Sequence, residues 1–240
     1  MKALIFAAGR GERMRPLSAH TPKPLLEVAG KPLIAWHLDK LAALGVREVV
    51  INVSHLAARF PEVLGEGGRW GMRLRYSFEG DTPLETGGGM LHALPWLGPE
   101  PFLVINGDIW TDFDFASLPG APAGLAHLVL VDNPDHRASG DFRLDPGGRV
   151  HADGAPRLTY AGLGVFRPEL LHGWRAAVGE TAGAALEPPR FPLAPLLRAA
   201  MARGAVTGQH HDGAWTDVGN PDRLAGLEAA LRAAGRTSGG

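Results

Sequence analysis

Ala7-Ala8-Gly9-Arg10-Gly11-Glu12-Arg13-Met14-Arg15-Pro16-Leu17-Ser18-Ala19-His20-Thr21-Pro22-Lys23-Pro24-Leu25 follows directly on a short apolar run, Ala3 to Phe6, near the amino terminus. The glycines at 9 and 11 let backbone N–H groups converge on a concave surface, which suits an anion. Arg10, Arg13, Arg15 and Lys23 add charge that grips phosphate oxygens. At the carboxyl end of a first strand, such a loop predicts a nucleoside triphosphate site. Met14 stands where a dinucleotide-binding G-x-G-x-x-G would place its third glycine. The second apolar run, Val49 to Val53, continues into Ser54 and His55 with no acid to hold a ribose, so the dinucleotide reading is excluded. Prolines at 16, 22 and 24 fix φ and bias the residues before them to extended backbone. Lys23 is thereby pinned on a stiff arm, as a phosphate ligand should be.

Outward from this loop, strand-like and helix-like runs alternate, which argues for a mostly parallel sheet covered on both faces. Leu33, Leu38, Leu41 and Leu44 mark one face of a helix from Pro32 to Leu44, stopped by Gly45. Val49 to Val53 reads as a buried strand, Leu56 to Leu64 as a weak helix interrupted by Pro61, and Leu74 to Phe78 as an alternating strand. Gly87 to Leu94 opens another helix, and Phe102 to Ile105 is an apolar strand. Leu125 to Val131 and Leu158 to Phe166 continue the sheet, with short edge strands around Phe142 and Val150. Helices over about Leu193 to Ala202 and Pro221 to Ala234 close the chain. Right-handed crossovers then give a three-layer α/β/α, Rossmann-like fold on a mixed but mostly parallel sheet. Residues 1–235 are expected to form one domain, and 236–240 a frayed tail.

Composition narrows the class of activity. The 240 residues can bury a sizeable core, and 45% hydrophobic with 20% charged residues is ordinary for a soluble domain. A net charge of −1 gives no support to a nucleic-acid-binding surface, despite the basic loop. The absence of cysteine excludes disulfides, thiolate metal sites and thiol catalysis. With no leader segment and no apolar run near membrane-span length, a cytoplasmic protein without membrane contact is expected. Ten histidines show no metal-binding spacing on a helix, and His210-His211-Asp212 reads as a turn.

Two further segments carry chemistry. Asn106-Gly107-Asp108 ends an apolar strand, at the edge where ligands of open parallel sheets gather. A turn accounts for Asn106 and Gly107, but not for an acid after four apolar residues beside a triphosphate loop. A carboxylate there suits Mg²⁺, which takes hard oxygen ligands and usually only one or two from protein. Asp112 and Asp114 read as turn and capping residues. In Pro83-Leu84-Glu85-Thr86-Gly87-Gly88-Gly89, the glycines at a helix start offer flat backbone for a base and ribose. Glu79 stands a few residues before it.

The pattern G-x-G-x-R-M-x-P-L-S followed by P-K-P resembles the signature of the sugar-1-phosphate nucleotidylyltransferases. The likeness extends from Met1 to about Leu231. The segments at 85–89 and 106–112, Gly140-Asp141-Phe142-Arg143, and Trp215-Thr216-Asp217-Val218-Gly219 are similar to the N-acetylmuramate-1-phosphate uridylyltransferases of peptidoglycan recycling. The resemblance implies a GT-A-like nucleotidyltransferase fold. It also implies that Ala8, Gly9, Gly11, Glu12, Arg13, Lys23, Glu79, Thr86, Gly87 and Gly88 bind nucleotide. Asp108 and Asp217 would hold the metal, and Asn106, Gly140, Asp141 and Gly162 would face the sugar phosphate. Many relatives carry E-K-P before the strand that ends at Gly162. This chain has Pro156-Arg157-Leu158-Thr159 instead, so sugar contacts do not transfer, and Arg143 and Arg157 are candidates for a lactyl carboxylate by charge alone.

The expected reaction joins UTP and N-acetylmuramic acid 1-phosphate with release of pyrophosphate, using Mg²⁺. The attacking phosphate monoester is largely ionised already, its second pKa being about 6, so no general base is required. Arg13, Lys23 and Asp108 are the expected catalytic residues. Other pairs, such as glucose-1-phosphate with dTTP or UTP and mannose-1-phosphate with GTP, remain open. A non-catalytic sugar-nucleotide sensor is disfavoured, because Lys23, Asp108 and Asp217 are all present. The lack of an appended domain points to a monomer.

Overall fold

The computed structural model describes residues 1–180 and 183–235, so the expected tail at 236–240 lies outside the described residues. Seven strands form the central sheet: β1 (Lys2–Phe6), β2 (Glu48–Val53), β3 (Arg73–Phe78), β4 (Phe102–Asn106), β5 (Ala126–Val131), β6 (Thr159–Phe166) and β7 (Val206–His211). Their order is β7-β5-β6-β4-β1-β2-β3. Strand β6 runs antiparallel to both its neighbours, and every other pairing is parallel. The carboxyl ends of β1, β2 and β4 therefore lie together, with Phe6 level with both Asn52 and Asn106.

The alternation of side chains along the buried strands sorts the core into two layers. Ala3, Ile5, Val49, Ile51, Leu103 and Ile105 face one way, towards α1 (Leu33–Ala43) and α2 (Arg59–Leu64). Leu4, Val50, Phe102 and Val104 face the other, towards α3 (Glu85–Leu97), α4 (Trp174–Val178) and α5 (Ala194–Ala202). A third apolar cluster joins α6 (Pro221–Ala233) to the signature loop, where Leu227 and Leu231 pack with Met14, Val28, Ala29, Trp110 and Val218. A side-chain oxygen of Glu228 also accepts the Ala29 amide. The carboxyl-terminal helix is thus a buttress for the loop near the amino terminus.

Several elements differ from the sequence expectation. Helix α2 begins at Arg59, because Leu56 adopts φ 54 and leaves the helical path. Pro61 then falls in its first turn, where no N–H is needed. Helix α3 extends two residues earlier and three later than Gly87 to Leu94. Helix α4 carries no periodic pattern of its own and was not expected. His210 and His211 lie not in a turn but at the end of β7, where they meet Asp132 and Asp112, each at 2.9 Å. Asp114 does cap the short turn that follows it, accepting from the Ala116 amide at 3.0 Å. No helix among the described residues is long and apolar enough to cross a membrane.

Candidate active site

A cleft of about 630 Å³ opens at the carboxyl edge of β1 and β4. Ala8, Gly9, Arg10, Gly11, Glu12 and Arg13 form one wall, Glu79, Pro83, Glu85 and Thr86 another, and Lys23, Asn106 and Asp108 reach it from below. The wall built by the signature loop is held by its own backbone. Gly11 sits at φ 63, its carbonyl accepts the Ser18 hydroxyl at 2.7 Å and the Met14 amide at 2.8 Å, and Met14 is fully buried beneath. A side chain at Gly11 would press on Ser18 and Lys23 at 3.3 and 3.4 Å, besides its unfavourable φ. The amides of Gly9, Arg10 and Gly11 donate to no protein acceptor among the described residues, which leaves them for an anion. Arg13 is exposed and has no ion pair there either.

Lys23 rides on a short turn, Lys23–Leu25, and its side chain is only 10% exposed. Its ammonium donates to Asp108 Oδ2 at 2.5 Å. Asp108 reaches that point because Gly107 carries the chain across the end of β1, its amide bonding Phe6 O at 2.8 Å. A Cβ at Gly107 would stand 2.9 Å from that same carbonyl oxygen. Two residues separated by 85 positions thus form one charge pair on the floor of the cleft.

Asp217 arrives beside them on a two-stranded ribbon in which Trp215–Asp217 pairs antiparallel with Ile109–Thr111. The Val218 amide bonds Asp108 O at 2.8 Å, so the two acids occupy adjacent backbones. Asp217 does not itself line the cleft, although Gly219 does. Its Oδ1 is held by Arg223 Nη1 and lies 3.1 Å from His136 Nε2. Two carboxylates thus stand on neighbouring backbones, each paired with a side-chain cation. No group of three or more His, Cys, Asp or Glu side chains placed to hold a metal ion occurs among the described residues.

The glycine-rich element opens α3 and packs closely there. Gly87 and Gly88 are buried, and both amides donate to Phe191 O, at 2.9 and 3.0 Å. A Cβ on Gly87 would run into the Phe191 ring, and one on Gly88 into Pro189 O. These glycines let α3 dock on the segment before α5 and are not in the cleft wall, whereas Thr86 and Glu85 are. Glu85 holds φ +62, a conformation a side chain adopts at a cost. Behind it, Glu79 is buried and accepts from the Leu84 amide at 2.7 Å and from Asn52 Nδ2 at 2.5 Å. Burial lifts its carboxyl above the ordinary range, against the pull of these two bonds. Glu79 anchors the turn that presents Glu85 and Thr86.

The residues expected on the sugar side form a neighbouring framework. Asp141 accepts from the Tyr160 amide at 2.9 Å and from Arg137 at 3.2 Å. Gly140 turns at φ +61 against Asn133 and Arg157, and Gly162 sits at φ +74 against the Asn106 amide group. Of these, Asn106 alone lines the cleft. Arg143 lies over Gly154, and Arg157 bonds Gly154 O at 3.1 Å, so both turn to the same hairpin. His136, Glu85, Gly219 and Arg223 were not singled out from the sequence. The positive φ of Glu85 and the long-range pairing of His136 with Arg223 exist only in three dimensions.

Residues 2–142 match the family model described as Nucleotidyl transferase. The chain is 47% identical over 236 residues to N-acetylmuramate alpha-1-phosphate uridylyltransferase of Neisseria meningitidis serogroup B, covering 95% of this chain and 97% of that one. It is 34% identical to the Caulobacter vibrioides protein of the same description, over 95% of this chain and 96% of that one. Mannose-1-phosphate guanylyltransferase of Mycobacterium tuberculosis is also 34% identical, but over 62% of this chain and 42% of the relative. A crystal structure described as a glucose-1-phosphate thymidylyltransferase from Bacillus anthracis superimposes with a TM-score of 0.80 over 97% of this chain and 95% of that one, at 21% identity. That likeness concerns the fold.

Proposed function

The chain belongs to the nucleotidyl transferase family, as a sugar-1-phosphate nucleotidyltransferase, and from that premise we propose that it joins UTP and N-acetylmuramic acid 1-phosphate, releasing pyrophosphate. The observation that carries this reading is the convergence of the glycine loop, Lys23 and Asp108 on one cleft. The identity to the Neisseria relative over nearly the whole of both chains supports the substrate pair.

In the proposed reaction an oxygen of the sugar phosphate attacks the α-phosphorus of UTP. A new P–O bond forms as the bond from that phosphorus to the bridging oxygen breaks, and the electron pair leaves with pyrophosphate. Because the nucleophile is already an anion, the site has to position and neutralise charge rather than remove a proton. The amides of Gly9 to Gly11 and the Arg13 side chain, without protein partners among the described residues, suit the β- and γ-phosphates that depart. Lys23, buried to the level of its ammonium, suits the phosphates at the reacting centre. Glu85 and Thr86, presented by Glu79, form the wall available to the base and ribose, and Asn106 begins the sugar side. Asp108 and Asp217 would hold Mg²⁺, which would neutralise phosphate charge when bound. We place the reaction in peptidoglycan recycling in the cytoplasm, performed by one copy of the chain with residues 1–235 as a single unit.

A panel of nucleoside triphosphates against sugar 1-phosphates, scored by pyrophosphate release with and without Mg²⁺, tests this reading. UTP with N-acetylmuramic acid 1-phosphate is expected to give the highest kcat/KM, and only with the metal. A preference for mannose-1-phosphate with GTP, or glucose-1-phosphate with dTTP, would replace the assignment of substrates but keep the reaction. Tight UDP-sugar binding without turnover of any pair would indicate a sensor.

A further inference from the structure

We propose that Arg223 is the internal counter-cation of Asp217, that it gives way to the divalent ion there, and that the released guanidinium binds the anionic group of the sugar substrate beside Gly219. This rests on the assignment of Asp217 to the metal and of sugar 1-phosphate to this end of the cleft.

Three observations carry it. Arg223 Nη1 bonds Asp217 Oδ1 and also approaches His136 Nε2 at 2.6 Å, so one nitrogen makes both contacts. Arg223 Nε is buried with no partner among the described residues, and the side chain is only 20% exposed. A guanidinium offers five N–H donors, and burying even one of them unused is costly unless an acceptor arrives. The third observation is the position of the group. A Cβ on Gly219 would lie 2.7 Å from Arg223 Cζ and 3.3 Å from Nη1, so the guanidinium fills the space a Gly219 side chain would take. Gly219 lines the cleft. The cation therefore backs directly onto the cleft wall, with only a glycine between.

The surroundings hold Arg223 at this place. It lies in the first turn of α6, and its amide is capped by Asn220 Oδ1 at 2.9 Å. The rest of α6 is fastened to the signature loop through Leu227, Leu231 and Glu228. Charge bookkeeping then couples two binding events. Without a metal, Asp108 and Asp217 are matched by Lys23 and Arg223. Asp108 and Asp217 would hold a divalent ion only in competition with these two cations for their carboxylate oxygens. Lys23 is released towards the nucleotide. Arg223 is released next to His136, on the loop that leads to Gly140 and Asp141, where the sugar phosphate is expected. Metal and sugar phosphate should then bind with positive coupling through one arginine.

The test is the pair R223Q and R223K, with G219A as an independent variant that crowds the guanidinium while keeping its charge. Mn²⁺ binding is measured without nucleotide by the loss of the free-ion EPR signal, and KM is measured for each substrate. R223Q is expected to bind Mn²⁺ about threefold or more tighter, because an internal competitor is gone. Its KM for the sugar phosphate should rise about tenfold or more, with KM for UTP little changed and R223K partly restored. G219A should shift the sugar-phosphate KM in the same direction. Comparing N-acetylmuramic acid 1-phosphate with glucose-1-phosphate separates the two anionic groups: equal losses point to the phosphate, and a loss confined to the muramyl sugar points to its carboxylate. Mn²⁺ binding by R223Q that is weaker or unchanged, or an unchanged sugar-phosphate KM, would overturn the proposal. A purely structural arginine predicts weaker binding of everything and a lower melting point. If the wild type held no Mn²⁺, or held it equally after Asp108→Asn, the metal assignment would fall first and this proposal with it.

Discussion

Replacing Glu79 by alanine is the most direct test of how the cleft wall is held. The substitution removes both carboxylate oxygens, and with them the acceptors of the Leu84 amide and of Asn52 Nδ2. Leu84 is 5% exposed and Asn52 fully buried, so neither donor finds bulk water without rearrangement. Each buried orphan costs about 1–3 kcal/mol, which puts the extreme at about 2–6 kcal/mol. The vacated space opens on the cleft, so water reaches at least one donor and the net loss settles at about 2–3 kcal/mol. For a chain of this length that is roughly a 4–12 °C fall in the melting midpoint. The sign of the pH dependence is also set. Burial raises this carboxyl above its ordinary 4.5 in the folded chain. Its contribution is then fullest below pH 4.5 and is lost as pH rises through the raised value, so wild type and variant converge across that window. Scanning calorimetry from pH 4 to 8, with KM for UTP at neutral pH, measures both consequences. KM for UTP should rise severalfold because Glu85 and Thr86 lose their support. An unchanged midpoint together with an unchanged KM would refute the anchoring role.

Lys23→Met and Asp108→Asn should each lower kcat by about 10²–10³-fold while circular dichroism and melting stay close to wild type; near-normal turnover of either would remove it from the mechanism. His37 is buried against the Ile109 carbonyl at 2.8 Å, and burial pushes its imidazole down to about 4. Its neutral form contributes stability that is present above pH 6.5 and lost as pH falls through about 4, so His37→Leu should flatten the acid limb of a stability-against-pH curve. The same variant should lose about 1 kcal/mol at neutral pH with the hydrogen bond, read by urea denaturation. Gly87→Ala drives a methyl group to 2.5 Å from the Phe191 ring. It should cost about 1–3 kcal/mol in denaturant midpoint, and a neutral result would mean that the segment carrying Phe191 moves freely.

Much of the fold was legible because its signals are local. Buried parallel strands are near-continuous apolar runs, and Val49 to Val53 and Phe102 to Ile105 declare themselves that way. Strand β7 did not, because an edge strand of Val206-Thr207-Gly208-Gln209-His210-His211 has one neighbour and a largely polar composition. Its identity comes from pairing with β5, a contact made across 80 positions. The glycine triplet is ambiguous for a related reason. Flat backbone suits a ligand and suits close packing equally, and the position of Phe191 shows that Gly87 and Gly88 serve close packing.

By itself, the sequence determined the chemistry on offer: a glycine loop with fixed charge, a lysine pinned between prolines, and acids at strand ends. Those properties reside in residue type and near-neighbour stereochemistry, which spacing along the chain records. The tertiary structure alone decided which charges neutralise one another. Lys23 meets Asp108, Arg223 meets Asp217, and Glu79 holds the Leu84 amide. Pairings of that kind depend on distances of a few ångströms between residues far apart in the chain. Coulomb energy and desolvation act over that range, and sequence separation does not encode it.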